Sequence, residues 1–177
     1  MSDLLKRDNT IHVFKWENLG DIKEGRSDLG EEMPVLVYRL MQFTMLDVLT
    51  KEFGADKANE YFRKAGFLAG GEYARNVLDL SLEFSDFLAN LQNSLEELKV
   101  GILRMEAHDP DTGEMVLTVG QDLDCSGLPI SNETVCNYDE GFIGGILNAY
   151  TGKEYVVKEI DCWATGDLVC RFNASIV

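Results

Sequence analysis

At Gly101 the apolar residues of this chain change their period, and that change restricts what it can fold into more than any other feature. Upstream they recur every three or four positions, the spacing of helices with one buried face. Pro34 follows the acidic pair Glu31-Glu32 and precedes Val35, Leu36, Tyr38, Leu40, Met41, Met45 and Leu46, which predicts a helix over about 34–52 with Pro34 in its first turn. Gly54 ends it. Asp56 opens a second run carrying Ala58, Tyr61, Phe62, Ala65, Leu68, Ala69 and Tyr73, a helix over about 55–78. A third covers 82–100, with Phe84, Phe87, Leu88, Leu91, Leu95 and Leu98 on one face.

Downstream the runs are short. Residues 101–108 and 114–120 flank Asp109-Pro-Asp-Thr-Gly113, a turn sequence, and predict a β-hairpin. A helix over 137–151 follows, stopped by Gly152, and strands over 154–162 and 168–174 enclose the turn 163–167. The order helices, hairpin, helix, hairpin indicates an α+β fold, with N-terminal helices packed on an antiparallel sheet in one domain over 34–177. Residues 1–33 mix charge with Gly20, Gly25 and Gly30 and read as an arm holding one short strand, Ile11 to Trp16.

Gly66, Gly70 and Gly71, with Ala69, interrupt the second helix. Each glycine costs a helix interior about 1 kcal/mol against alanine, so either two backbones approach closely there or a cavity is lined.

Sixteen basic residues against 31 acidic ones give a formal charge of −15, which repels phosphate backbones and anionic lipid and argues against nucleic-acid binding. The expected role of that charge is solubility. No run has the length of a signal peptide or membrane span, and the expected location is cytoplasmic.

Cys125, Cys136, Cys162 and Cys170 all fall in the last 53 residues. Grouped cysteines in a chain without a secretory signal point to metal ligands or reactive thiols before disulfides. Cys162 and Cys170 stand at the two edges of the last hairpin. Cys136 precedes a helix, whose N-terminal amides favour a thiolate. Structural zinc wants four ligands. The two histidines, His12 and His108, are far off in sequence, so the fourth comes from Cys125 or a carboxylate, and on residue type Cys125 is the better choice. The competing reading is four small buried hydrophobes.

The stretch Val135-Cys-Asn-Tyr-Asp-Glu-Gly-Phe-Ile-Gly-Gly-Ile-Leu147, continued by Glu159-Ile-Asp-Cys-Trp-Ala-Thr-Gly-Asp-Leu-Val-Cys-Arg-Phe172, closely resembles the 4-vinyl reductase or hydrocarbon-binding domain. Pro34 to Arg39, Tyr61 to Gly66 and Gly101 to Arg104 are similar to its helical part and first strand. The resemblance implies the fold of nitric-oxide-sensing haem domains and vesicle-tethering subunits, a homodimer, and an apolar pocket between helices and sheet. In aromatic-compound-sensing members zinc is held by three cysteines and a glutamate, which fall here on Cys136, Glu159, Cys162 and Cys170. The resemblance thus moves the fourth ligand from Cys125 to Glu159, with Asp161 as a minor rival.

Function follows as an expectation: a sensor or carrier for a small apolar, aromatic or tetrapyrrole-like molecule, with structural zinc, acting through a separate regulatory partner. Candidate pocket residues are Tyr38, Phe43, Phe62, Phe67, Tyr73, Phe84 and Phe87, although any amphipathic helix shows aromatics at this spacing. The His and Trp with which aromatic-sensing relatives hold a phenol are not matched, because no Trp lies between Trp16 and Trp163. The alternatives are a reductase acting on a vinyl-bearing tetrapyrrole and a protein-binding module without ligand. Dinucleotide and P-loop motifs are absent, and a metal closed by four protein ligands has no open position for catalysis, so binding is favoured over an enzyme.

Overall fold

The computed structural model describes residues 13–177, and the chain divides into two compact units with the boundary between Glu32 and Met33. In the first, a 3-10 turn at Trp16–Leu19 is followed by α1 (Ile22–Gly25), capped by the Asp21 carboxylate, which accepts from the Glu24 amide at 2.8 Å. The strand expected over Ile11 to Trp16 lies partly outside the described residues. Within them, Val13 to Lys15 is not strand and Trp16 starts the turn.

The second unit holds α2 (Val35–Phe53), α3 (Ala55–Val77), α4 (Phe84–Glu97), β1 (Ile102–His108), β2 (Met115–Gly120), α5 (Asn137–Thr151), β3 (Tyr155–Asp161) and β4 (Val169–Ile176). Pro34 is extended, with ψ 142°, so it caps α2 instead of forming its first turn. Gly54, at φ +84°, is the one residue between α2 and α3, a conformation suited to glycine. The third helix stops short of the expected 100, because Lys99 turns to φ 60° and the Val100 amide folds back on the Leu95 carbonyl at 2.9 Å. Among the described residues no helix is long and apolar enough to cross a membrane.

The four strands form one antiparallel sheet in the order β1-β2-β4-β3. At the β1–β2 turn Asp109 accepts from the amides of Asp111 and Thr112 at 2.9 and 3.3 Å, and Gly113 takes φ +76°. Alternation puts Leu103, Met115, Leu117, Val119, Tyr155, Val157, Phe172 and Ala174 inward. Against that face lie Phe87, Leu91 and Leu95 of α4 and Ile143, Ile146 and Leu147 of α5, each contributing about 2 kcal/mol by burial.

The glycines of α3 meet those of α5. A Cβ on Gly66 would collide with the Tyr138 carbonyl and one on Gly70 with that of Phe142, while Gly141 and Gly145 face the carbonyls of Arg63 and Phe67 in the same way. Close backbone approach explains the interrupted helix, and α5 thereby seats its N-terminus, with Cys136, over the sheet end.

Candidate metal centre

Three segments deliver the four thiols. Cys170 is an inward position of β4, paired with Val119 of β2. Cys162 follows β3, where a register shift between Glu159 and Asp161 turns the strand end, and its amide donates to the Thr165 hydroxyl at 3.0 Å in a tight 3-10 turn closed by Gly166 at φ +103°. Cys136 is the cap residue of α5. Cys125 sits in the loop after β2, its amide bonded at 3.0 Å to the Asp122 carboxylate.

All four are free and at most 1% exposed, and their sulfurs lie within 4.8 Å of one another. A tetrahedron with Zn–S bonds of about 2.3 Å has S···S edges of about 3.8 Å. Cys136 lies 3.8 Å from Cys162 and 3.7 Å from Cys170, which matches; Cys125 lies 3.0 Å from Cys170 and has to withdraw by about 0.8 Å to fit that edge. Hydrogen bonding among the sulfurs, from Cys125 first, holds the Cys162 thiol well below its ordinary range and pushes Cys136 up. No side-chain cap bond joins the Cys136 sulfur to α5, so the expected contribution of the helix amides is replaced by that of the neighbouring sulfurs.

Glu159 points into the same interior but is not among the donor atoms that lie within 4.8 Å of one another. Its Oε2 accepts from the Cys136 amide at 3.0 Å, and its Oε1 is sealed from solvent without a partner. Burial pushes its carboxyl up to about 8. Asp161, turned by the register shift, pairs instead with Arg171, which also binds Glu106 at 2.8 Å. Glu140, 4% exposed, ties α5 to β3: its Oε1 accepts from Lys158 Nζ at 2.8 Å and from the Glu159 amide at 2.9 Å, while Arg63 approaches Oε2 at 3.3 Å.

The loop carrying Cys125 is held by α2. Tyr38 and Gln42 donate to the two oxygens of Asp124, both at 2.7 Å, and Arg39 donates to the carbonyls of Leu123 and Ser126 at 2.8 and 2.9 Å. Burial, then the charge of Asp122, pushes the Asp124 carboxyl up to about 6. Asp139, raised well above the usual range by burial and by Asp122 and Asp124, has an Oδ2 shut away without a partner.

Beside this cluster is an apolar cavity of about 40 Å³ between α4, α5 and the sheet. Phe84, Phe87, Leu91, Met105, Phe142 and Ile146 line it, with Asp122 and Asp139 as its polar residues. Of the expected pocket aromatics it brings together Phe84 and Phe87. Tyr38 serves Asp124, Phe62 and Phe67 lie on α3 away from the lining, and Tyr73 bonds Ser94 at 2.5 Å and packs on Phe142. Phe43, on α2, does not line it either. His108 lies against Phe84 with ring centroids 4.5 Å apart, and His12 falls outside the described residues. The sequence reading missed Asp122 and Asp139, whose only signal was acidic residues near cysteines in a chain full of acidic residues.

Residues 115–176 match the family model of the vinyl-4-reductase domain. An uncharacterised protein of Methanocaldococcus jannaschii is 27% identical over 150 residues, covering 85% of this chain and 82% of its own. The phenol-responsive sensory domain of the transcription activator PoxR, solved with phenol, superposes with a TM-score of 0.64 at 15% identity, over 83% of this chain and 76% of that one. A vinyl-4-reductase family protein from Methanocaldococcus jannaschii superposes with a TM-score of 0.59 at 13% identity, over 84% and 85% of the two chains. The fold is therefore the helix-covered antiparallel sheet of these proteins, and the chain belongs to the vinyl-4-reductase domain family.

Proposed function

We propose that this protein is a small-molecule-binding sensor or carrier, taking an apolar or aromatic molecule between α4, α5 and the sheet and fastened at the sheet end by one structural zinc ion. The observation that carries this reading is the adjacency of an apolar cavity and four buried sulfurs spaced for a tetrahedral ion. The structurally similar PoxR, whose sensory domain is described as phenol-responsive, lends the ligand class.

A cavity of about 40 Å³ holds two or three waters, whereas one of about 150 Å³ is needed for benzene. Entry of an aromatic therefore requires side chains such as Leu88 and Met105 to move, and that movement is how occupancy changes the helical surface. In this reading zinc takes Cys136, Cys162 and Cys170, with Cys125 as the fourth ligand because its sulfur stands in the cluster. Glu159 is the alternative fourth ligand, favoured by its unpartnered oxygen.

The exposed apolar residues of α2, among them Leu36, Leu40 and Met41 at 57% or more, supply the face for the homodimer, and a separate regulatory protein receives the signal. Native mass spectrometry of protein purified from cells, with methyl NMR during a toluene titration, tests the binding reading. A retained apolar adduct, or shifts confined to Leu91, Ile146 and Leu147, is the expected result; no adduct and unmoved methyls contradict it.

A further inference from the structure

Three carboxylates converge at the inner end of the cavity, and their partners differ. Asp124 is fully provided for by Tyr38 and Gln42. Asp122, 4% exposed, accepts the amides of Asp124 and Cys125 on Oδ1, at 2.8 and 3.0 Å. Asp139 Oδ2 has neither solvent nor a hydrogen-bond partner. None of the ion pairs among the described residues includes Asp122 or Asp139. Buried carboxylates are paired or bind a cation, since burying one alone costs far more than a fold this size can supply.

An oxygen from each of Asp122 and Asp139 and the Cys136 sulfur lie within 4.8 Å of one another. An ion with bonds of roughly 2.0 to 2.3 Å reaches donors at such separations. Cys136 is thus common to two groups, the four sulfurs on one side and this mixed oxygen–sulfur set on the other. Asp122 and Asp139 also line the cavity, and the four-cysteine group does not.

We infer that Asp122, Asp139 and Cys136 hold a second divalent cation, bridged to the four-cysteine ion by the Cys136 thiolate, with its remaining position open to the apolar cavity. This rests on the four cysteines binding metal. The two ions have different chemistry: the first is closed by sulfur, while the second has three protein ligands and room for one more, the arrangement of an ion that binds an exogenous oxygen. Two carboxylates with one thiolate suit zinc or a similar borderline divalent ion. A hydroxyl or carboxylate on an otherwise apolar cavity occupant completes its shell, so the second ion also selects which apolar molecules are held.

The test is metal stoichiometry on the full chain, saturated with zinc, freed of unbound metal by gel filtration, and measured by plasma mass spectrometry. Two ions per chain are expected in the wild type and one in Asp139→Asn and in Asp122→Asn. Cobalt(II) titration gives a second reading: the first equivalent brings intense sulfur-to-cobalt charge transfer, and the wild-type break falls at two equivalents. If the variants fail to fold, that wild-type break still decides. Saturation at one ion, or two ions retained in folded Asp139→Asn, overturns the second site and leaves the four-cysteine reading standing; no bound metal overturns both.

Discussion

Cys125 and Glu159 compete for one role, and their environments separate the outcomes. Cys125 has its sulfur in the cluster and its amide held by Asp122, whereas Glu159 spends one oxygen on the Cys136 amide. Cys125→Ser is therefore expected to lower zinc affinity by at least tenfold in a competition titration against a chelator, and Glu159→Gln, which can still accept the amide, to change it by less than threefold. The reverse order assigns the fourth position to Glu159. Glu140→Ala is expected to cost about 2 to 3 kcal/mol in urea unfolding, because the Lys158 ammonium and the Glu159 amide lose a charged acceptor in a buried place. A loss under 0.5 kcal/mol would show that α5 and β3 are held by apolar packing alone. At this scale the sequence was partly legible: the cysteines announced themselves by clustering, while Tyr38 looked like a pocket aromatic because nothing local reveals that its hydroxyl meets Asp124, 86 positions away.

The elements were the most legible level, since periodicity is a local property. The sheet hairpins and α5 fall where turn residues and spacing put them, and the differences are at ends: α4 yields to a left-handed Lys99, and α2 starts after an extended Pro34. The glycines of α3 could be read as costly but not explained, because the explanation lies in α5. Replacing Gly70 or Gly145 with alanine raises intrinsic helix propensity by about 1 kcal/mol, yet the new methyl meets a backbone carbonyl that cannot rotate away. Overpacking dominates. Each variant is expected to lose about 2 kcal/mol or more net by denaturant midpoint, against a gain if the helices could part freely. Gly152→Ala, in open space at φ +72°, is a useful contrast: its penalty comes from backbone strain alone and is expected to be smaller, roughly 1 kcal/mol.

For the molecule as a whole, the sequence pattern identified the α+β architecture, but not the position of the cavity, which depends on three elements distant in the chain. The expected pocket covered α2, α3 and α4, and the observed cavity lies under α4 and α5. Filling it distinguishes a binding site from a packing gap: Leu91→Phe is expected to abolish toluene binding while leaving the metal content unchanged, and retained binding places the ligand elsewhere. Leu40→Glu on α2 is expected to shift the species in light scattering from dimer to monomer, and an unchanged mass removes α2 from the interface. The four-sulfur site governs all of this, because zinc-binding energy in such sites is folding energy. Its most direct measurement is the melting temperature of the purified chain before and after its metal is stripped by a chelator, with metal content followed in the same samples. Loss of several kcal/mol, at roughly 3 °C per kcal/mol for a domain of this size, corresponds to a fall of more than about 10 °C, reversed on adding zinc. An unchanged melting temperature once the metal is gone, or a chain that never binds metal, contradicts the site.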